Sequence, residues 1–67
     1  MNFNGEELML MLLYNTGTRL GLMQELRLMQ CYLMPDETAL RELSEGVIEK
    51  LKLMTDAQFA EVEFSMD

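Results

Sequence analysis

Asn4-Gly5-Glu6-Glu7-Leu8-Met9-Leu10-Met11-Leu12-Leu13-Tyr14 decides the fold. Asn4 can accept a hydrogen bond from the free amides of a helix start, and Glu7, three positions on, can return one to the Asn4 backbone. Phe3 before the cap and Leu8 after it stand where a hydrophobic staple would close. Glu6 and Glu7 lie at the positive end of the helix dipole, where carboxylates are favoured. The run that follows is apolar on every side, so this helix should be largely enclosed or should meet another chain. An enclosed strand is the competing reading of so short a run. The cap and the leucine and methionine content favour a helix over residues 5–14.

Outward from this stretch the chain is punctuated by short breaks. Asn15-Thr16-Gly17-Thr18 contains a glycine able to take the left-handed conformation that stops a helix, and Thr16 or Thr18 can cap the next one. The second helix is predicted over 19–33, with Leu22, Met23, Leu26, Met29 and Leu33 on one stripe and Gln24, Glu25, Arg27 and Gln30 mostly away from it. Gly21 lowers its helix propensity and suggests a close helix crossing. Pro35, which biases Met34 away from helical angles, suits the first turn of a third helix over 36–53. That helix carries Leu40, Leu43, Val47, Leu51 and Met54 as its stripe, Ile48 beside it, and Arg41, Glu42, Glu45, Glu49, Lys50 and Lys52 outside. Glu49 can reach Lys52 one turn on. Thr55 and Gln58 repeat the capping box, with Met54 and Phe59 as staple, and open a short fourth helix over 56–62. Glu61 and Glu63 sit badly at its negative end, so it should fray after about Val62, and residues 65–67 should be loose. The expected fold is all-α: a small antiparallel three-helix bundle with a short fourth helix, in a single domain spanning 1–67.

Composition narrows the chemistry. The 67 residues include eight methionines, one cysteine and no histidine. A chain this short supplies roughly 3–5 kcal/mol from one core unless reinforced. With Cys31 the lone cysteine, no intrachain disulfide can form, and a standard zinc site lacks its ligands. That leaves regular helices or self-association. Cys31 has no histidine to activate it as a nucleophile and reads as a small buried hydrophobe. The carboxylates fall mostly on solvated helix faces, and Asp36-Glu37-Thr38 lacks the ligand spacing of a calcium loop. No catalytic, cofactor or metal site is expected, and no small-molecule substrate.

The net charge of −7 is unevenly spread. Residues 1–34 hold three acids and two bases, whereas residues 35–67 hold nine acids and three bases. Such a surface repels nucleic-acid phosphates and anionic membranes. It serves solubility, or it meets a basic partner. The seven-residue apolar stretch Leu8 to Tyr14 is far short of a membrane span, which needs about 20 residues. The free thiol and the absence of an export signal fit the cytoplasm.

Two features bear on partners. Arg19 stands at a helix start, where a cation is disfavoured. It serves either an ion pair with a carboxylate of a neighbouring helix or a partner contact. Apolar positions are also in surplus: Leu10, Met11 and Leu13 on the first helix, and Leu20, Leu28 and Tyr32 on the second. Either the fourth helix and the loops cover them or they form an interaction surface. The expected contact set is therefore Leu10, Leu13, Arg19, Leu20, Leu28 and Tyr32, used toward a protein partner or in self-association. Alanine or glutamate at Leu10 and Leu13 should then weaken the assembly while the helices survive.

Three segments carry a resemblance. Met1-Asn2-Phe3, the Tyr14-Asn15-Thr16-Gly17-Thr18-Arg19 turn and the closing Lys50-Leu51-Lys52-Leu53-Met54-Thr55-Asp56-Ala57-Gln58-Phe59 resemble the transposon-transfer-assisting protein family, short proteins encoded on bacterial conjugative transposons. The resemblance covers nearly the whole chain. Thr18 and Arg19 fit the family's turn, and Met54, Thr55, Asp56 and Phe59 fit its terminal segment. Gln58 stands where the family suggests an acidic residue, which leaves the capping logic intact. The resemblance implies a helical fold and help with transfer of the mobile element, and brings no enzymatic residues with it. On these grounds the expected function is that of a non-enzymatic accessory protein acting by protein–protein contact. The alternative is a regulator whose acidic half imitates nucleic acid and occupies a basic protein.

Overall fold

The computed structural model describes residues 3–62. Among the described residues four helices follow one another: α1 Gly5–Tyr14, α2 Arg19–Cys31, α3 Thr38–Leu53 and α4 Asp56–Ala60. Three of them, α1, α2 and α3, pack pairwise around one core. The all-α expectation holds, as does the short fourth helix, although α2, α3 and α4 are each about two residues shorter than predicted.

The helix starts follow their caps. Asn4 Oδ1 accepts from the Glu7 amide at 2.8 Å while the Asn4 amide donates to Glu7 Oε1 at 2.9 Å. Thr55 and Gln58 repeat this reciprocal pair at the start of α4. Between α1 and α2, Asn15 Oδ1 accepts from the Gly17 amide, and Gly17 takes a φ of 96°. Its left-handed angle closes the turn rather than ending α1, whose C-cap is Asn15. Thr18 caps α2 through the Gly21 amide. Gly21 was expected to admit a helix crossing. It instead makes room for hydroxyls: a β-carbon there would collide with Thr16 Oγ1 and stand 2.7 Å from Thr18 Oγ1.

The second break departs from expectation. Pro35 does not open α3. Met34-Pro35-Asp36-Glu37 closes as a turn with proline at its second position, the Glu37 amide donating to the Met34 carbonyl at 3.0 Å. Glu37 Oε2 accepts from the Met34 amide, so the N-cap side chain is engaged there and makes no capping bond to α3, which begins at Thr38.

The core consists of Leu10, Met11, Leu22, Leu26, Val47, Ile48, Leu51 and Phe59, with Met23, Met29, Leu40, Leu43 and Met54 partly buried against it. The predicted stripes of α2 and α3 therefore face inward. Leu10 and Met11, read as surplus, are core: Leu10 is 5% exposed and Met11 fully enclosed. Substitution at Leu10 would strike the core rather than an assembly contact. Cys31, expected buried, is exposed, because α2 ends at that residue and turns away from the core.

Two polar ties fix the helices. Gln30 Nε2 donates to Ser44 Oγ at 2.8 Å, and Ser44, buried in α3, donates to the Arg41 carbonyl. Lys50, expected on the outer face, turns instead toward α1, where its Nζ stands 2.6 Å from Glu7 Oε1 and 5.5 Å from the centre of the Phe3 ring. Among the described residues no buried side-chain nitrogen or oxygen lacks a partner. The expected Glu49–Lys52 pair is present at 3.6 Å. The expectations for Glu63 and residues 65–67 lie outside the described residues.

Candidate functional site

Arg19 starts α2 and meets the end of α3, while Gln30 near the end of α2 meets Ser44 in the first half of α3. The two helices are thus antiparallel. Asp56 places the start of α4 beside Arg19, at the end of the pair where α2 begins. At the opposite end, where α2 turns into α3, only the end of α1 at Tyr14 approaches among the described residues.

There an open groove of about 400 Å³ remains. Its walls come from Leu28, Met29, Tyr32 and Leu33 of the α2 end, Tyr14 at the end of α1, and Leu40 near the start of α3. Glu25 and Glu37 complete the lining, which contains no basic side chain. Tyr32 is 80% exposed and Leu28 53% exposed. Glu25, Leu28 and Met29 stand at three- and four-residue spacing on one face of α2, and its C-cap Tyr32 and the following Leu33 continue that wall past the helix end. From Glu25 to the helix end at Cys31, six residues of rise make the helical part of the wall about 9 Å long.

The expected contact residues divide. Leu28 and Tyr32 come together in the groove. Leu13 and Leu20 are exposed, 74% and 61%, but do not line it. Leu10 is in the core. Arg19 is held inside the protein: Nε stands 2.9 Å from Asp56 Oδ1, and Nη1 donates to the Leu51 carbonyl at 2.7 Å. It is the ion-pair explanation of Arg19 that the geometry favours. The carbonyl bond carries most of the effect. The Asp56 side chain is 84% exposed, and such pairs contribute about 0–1 kcal/mol. The bond to Leu51 gives a second, shorter donor to a carbonyl that the Met54 amide reaches at 3.4 Å, and brings a cation to the negative end of α3. Asp56→Ala should therefore cost under about 1 kcal/mol and Arg19→Ala about 1–2 kcal/mol in urea unfolding. Equal losses would show that the carbonyl bond contributes nothing of its own.

Tyr14, Met29, Leu33, Leu40, Glu25 and Glu37 were not among the expected site residues. Met29, Leu33 and Leu40 had been assigned to core stripes, and they are only half-buried because the neighbouring α1 stops at Tyr14. Among the described residues no cluster of three or more histidine, cysteine or carboxylate side chains is placed to hold a metal. No helix among them is long and apolar enough to cross a membrane.

No curated protein and no solved structure matches this chain. A family model, described as "Putative transposon-transfer assisting protein", matches residues 3–66. With nearly its whole length aligned, from the Phe3 staple past the Phe59 anchor, the chain belongs to the transposon-transfer assisting protein family.

Proposed function

We propose that this protein is a non-enzymatic accessory factor of a conjugative transposon, acting in the cytoplasm, and that it assists transfer by docking another protein in the groove at the α2–α3 end. The observation that carries the reading is the apolar wall of Leu28, Met29, Tyr32 and Leu33 beside Tyr14 and Leu40, open among the described residues. Contiguous apolar surface of this kind, rimmed by polar groups, is characteristic of interaction sites. The family description, a putative transposon-transfer assisting protein, supports transfer as the setting of the proposed contact.

The test is a transfer assay. A donor strain lacking this gene is complemented with the wild-type protein or with Leu28→Asp combined with Tyr32→Asp. Both side chains are more than half exposed, so the helices should form normally by circular dichroism. Transfer frequency should fall by about tenfold or more, the scale of losing one interface anchor. Wild-type transfer by a folded, normally expressed double variant would sink the reading. Reduced transfer by Leu13→Asp but not by the groove variant would move the contact to α1.

A further inference from the structure

We infer that the groove takes a basic amphipathic helix contributed by a partner protein; the inference rests on the docking function proposed above and specifies its occupant.

Backbone chemistry selects a helix. The groove is walled by helical residues and by the turn of Tyr32, Leu33 and Glu37 between α2 and α3, so it offers no sheet edge to an extended peptide. A strand laid against Leu28, Met29, Leu33 and Leu40 would turn unpaired amides and carbonyls toward apolar side chains, which is costly. A helix arrives with those groups already paired. The helical wall, about 9 Å long, matches somewhat under two helical turns of a partner, enough for apolar anchors at i and at i+3 or i+4. Tyr32, projecting at one wall, supplies the rigid aromatic surface that such anchors pack on.

Charge selects a basic one. Glu25 and Glu37 both line the groove and no lysine or arginine does. Three of the five basic residues are turned to carboxylates elsewhere: Arg19 to Asp56, Lys50 to Glu7 and Lys52 to Glu49. An acidic helix would meet like charge at the rim and a net −7 behind it. A second copy of this chain carries the same −7, so electrostatics disfavours it as the occupant.

The probe is a fluorescein-labelled synthetic peptide of about 14 residues, built of leucine and lysine with leucines at i, i+3, i+4 and i+7. Two controls are used, one with the same composition in scrambled order and one with glutamate for lysine. Binding is followed by fluorescence anisotropy against the full-length protein. The patterned leucine–lysine peptide should bind at least about tenfold more tightly than either control. Tyr32→Ala should weaken it about tenfold, and Glu25→Lys should narrow or reverse the preference over the glutamate peptide. Leu20→Ala, on exposed surface outside the groove, should leave binding unchanged.

Equal binding of the scrambled peptide, or indifference to both Tyr32→Ala and Glu25→Lys, would overturn the inference. So would a sedimentation profile in which the wild-type protein dimerises and Tyr32→Ala makes it monomeric, since the occupant would then be a second copy. The two levels separate cleanly. If the peptide fails but the Leu28→Asp/Tyr32→Asp protein still loses transfer, docking stands and the partner's chemistry is wrong. If transfer is unaffected, the functional proposal fails whatever the peptide does.

Discussion

Replacing Leu26 with alanine is expected to unfold most of the protein at room temperature. Leu26 is fully enclosed in a core of eight residues that includes Leu22, Val47 and Leu51. Removing its branched end deletes apolar contacts and leaves a cavity between α2 and α3, at a cost of about 2–5 kcal/mol. A domain this small has roughly 3–5 kcal/mol in total. The loss thus consumes most or all of the margin, where in a larger protein it would only lower the midpoint. Urea unfolding followed by circular dichroism at 222 nm is the measurement. Leu28→Ala, two residues along and 53% exposed, should cost less than about 1 kcal/mol. A Leu26→Ala protein within about 1 kcal/mol of the parent would mean that the core collapses around the gap or that self-association supplies missing stability.

The second large effect is expected at Glu7. Its carboxylate is nearly enclosed, 6% exposed, and serves two partners through one oxygen: the Asn4 amide at 2.9 Å and Lys50 Nζ at 2.6 Å. Glu7→Ala removes half of the capping box, worth about 1 kcal/mol, and takes the buried carboxylate away from Lys50. Breaking a fully buried pair costs about 3–5 kcal/mol. Lys50 is 30% exposed and can turn toward water, so a total of about 2–4 kcal/mol is expected. Glu7→Gln keeps an oxygen for the Asn4 amide and loses only the charge, so the difference between the two variants isolates the cap. Combining Glu7→Ala with Lys50→Met should recover part of the loss, because the double variant no longer turns the Lys50 ammonium toward the vacated Glu7 position. Strict additivity of the two single changes would show that the ion pair contributes nothing.

The parts of the fold that could be read from the residues are those governed by neighbours in sequence. Asn4 with Glu7 and Thr55 with Gln58 are three-residue devices, and both form as spacing demands. The stripe of α3 is likewise decided by period, since polar residues on its far side fix which way it faces. α1 carries no such information. With apolar residues all round, nothing distinguishes Leu10 from Leu13, and the structure buries the first and exposes the second. That choice is made by where α3 lies, which is a property of the whole fold. Pro35 misled for a related reason: proline suits both a helix start and the second position of a turn, and Glu37 decides by folding its side chain back onto Met34. Of the candidate site, Leu28 and Tyr32 were visible as surplus. Its other walls were hidden because Met29, Leu33 and Leu40 belong to inward stripes, and their partial exposure arises from the short reach of α1.

The five-residue α4 has a consequence for how this molecule breathes. Alone it is too brief to persist as a helix, so its order is borrowed from Phe59 seated in the core and from Arg19 holding Asp56. It is expected to detach without dismantling the packing of the other three. Amide protons of 59–61 should therefore trade with solvent by a shallow, local excursion, whereas those around Leu22, Leu26 and Val47 wait for the entire globule to open. Phe59 then works as a stopper that leaves the barrel intact when drawn, at the end of the molecule far from the acidic groove.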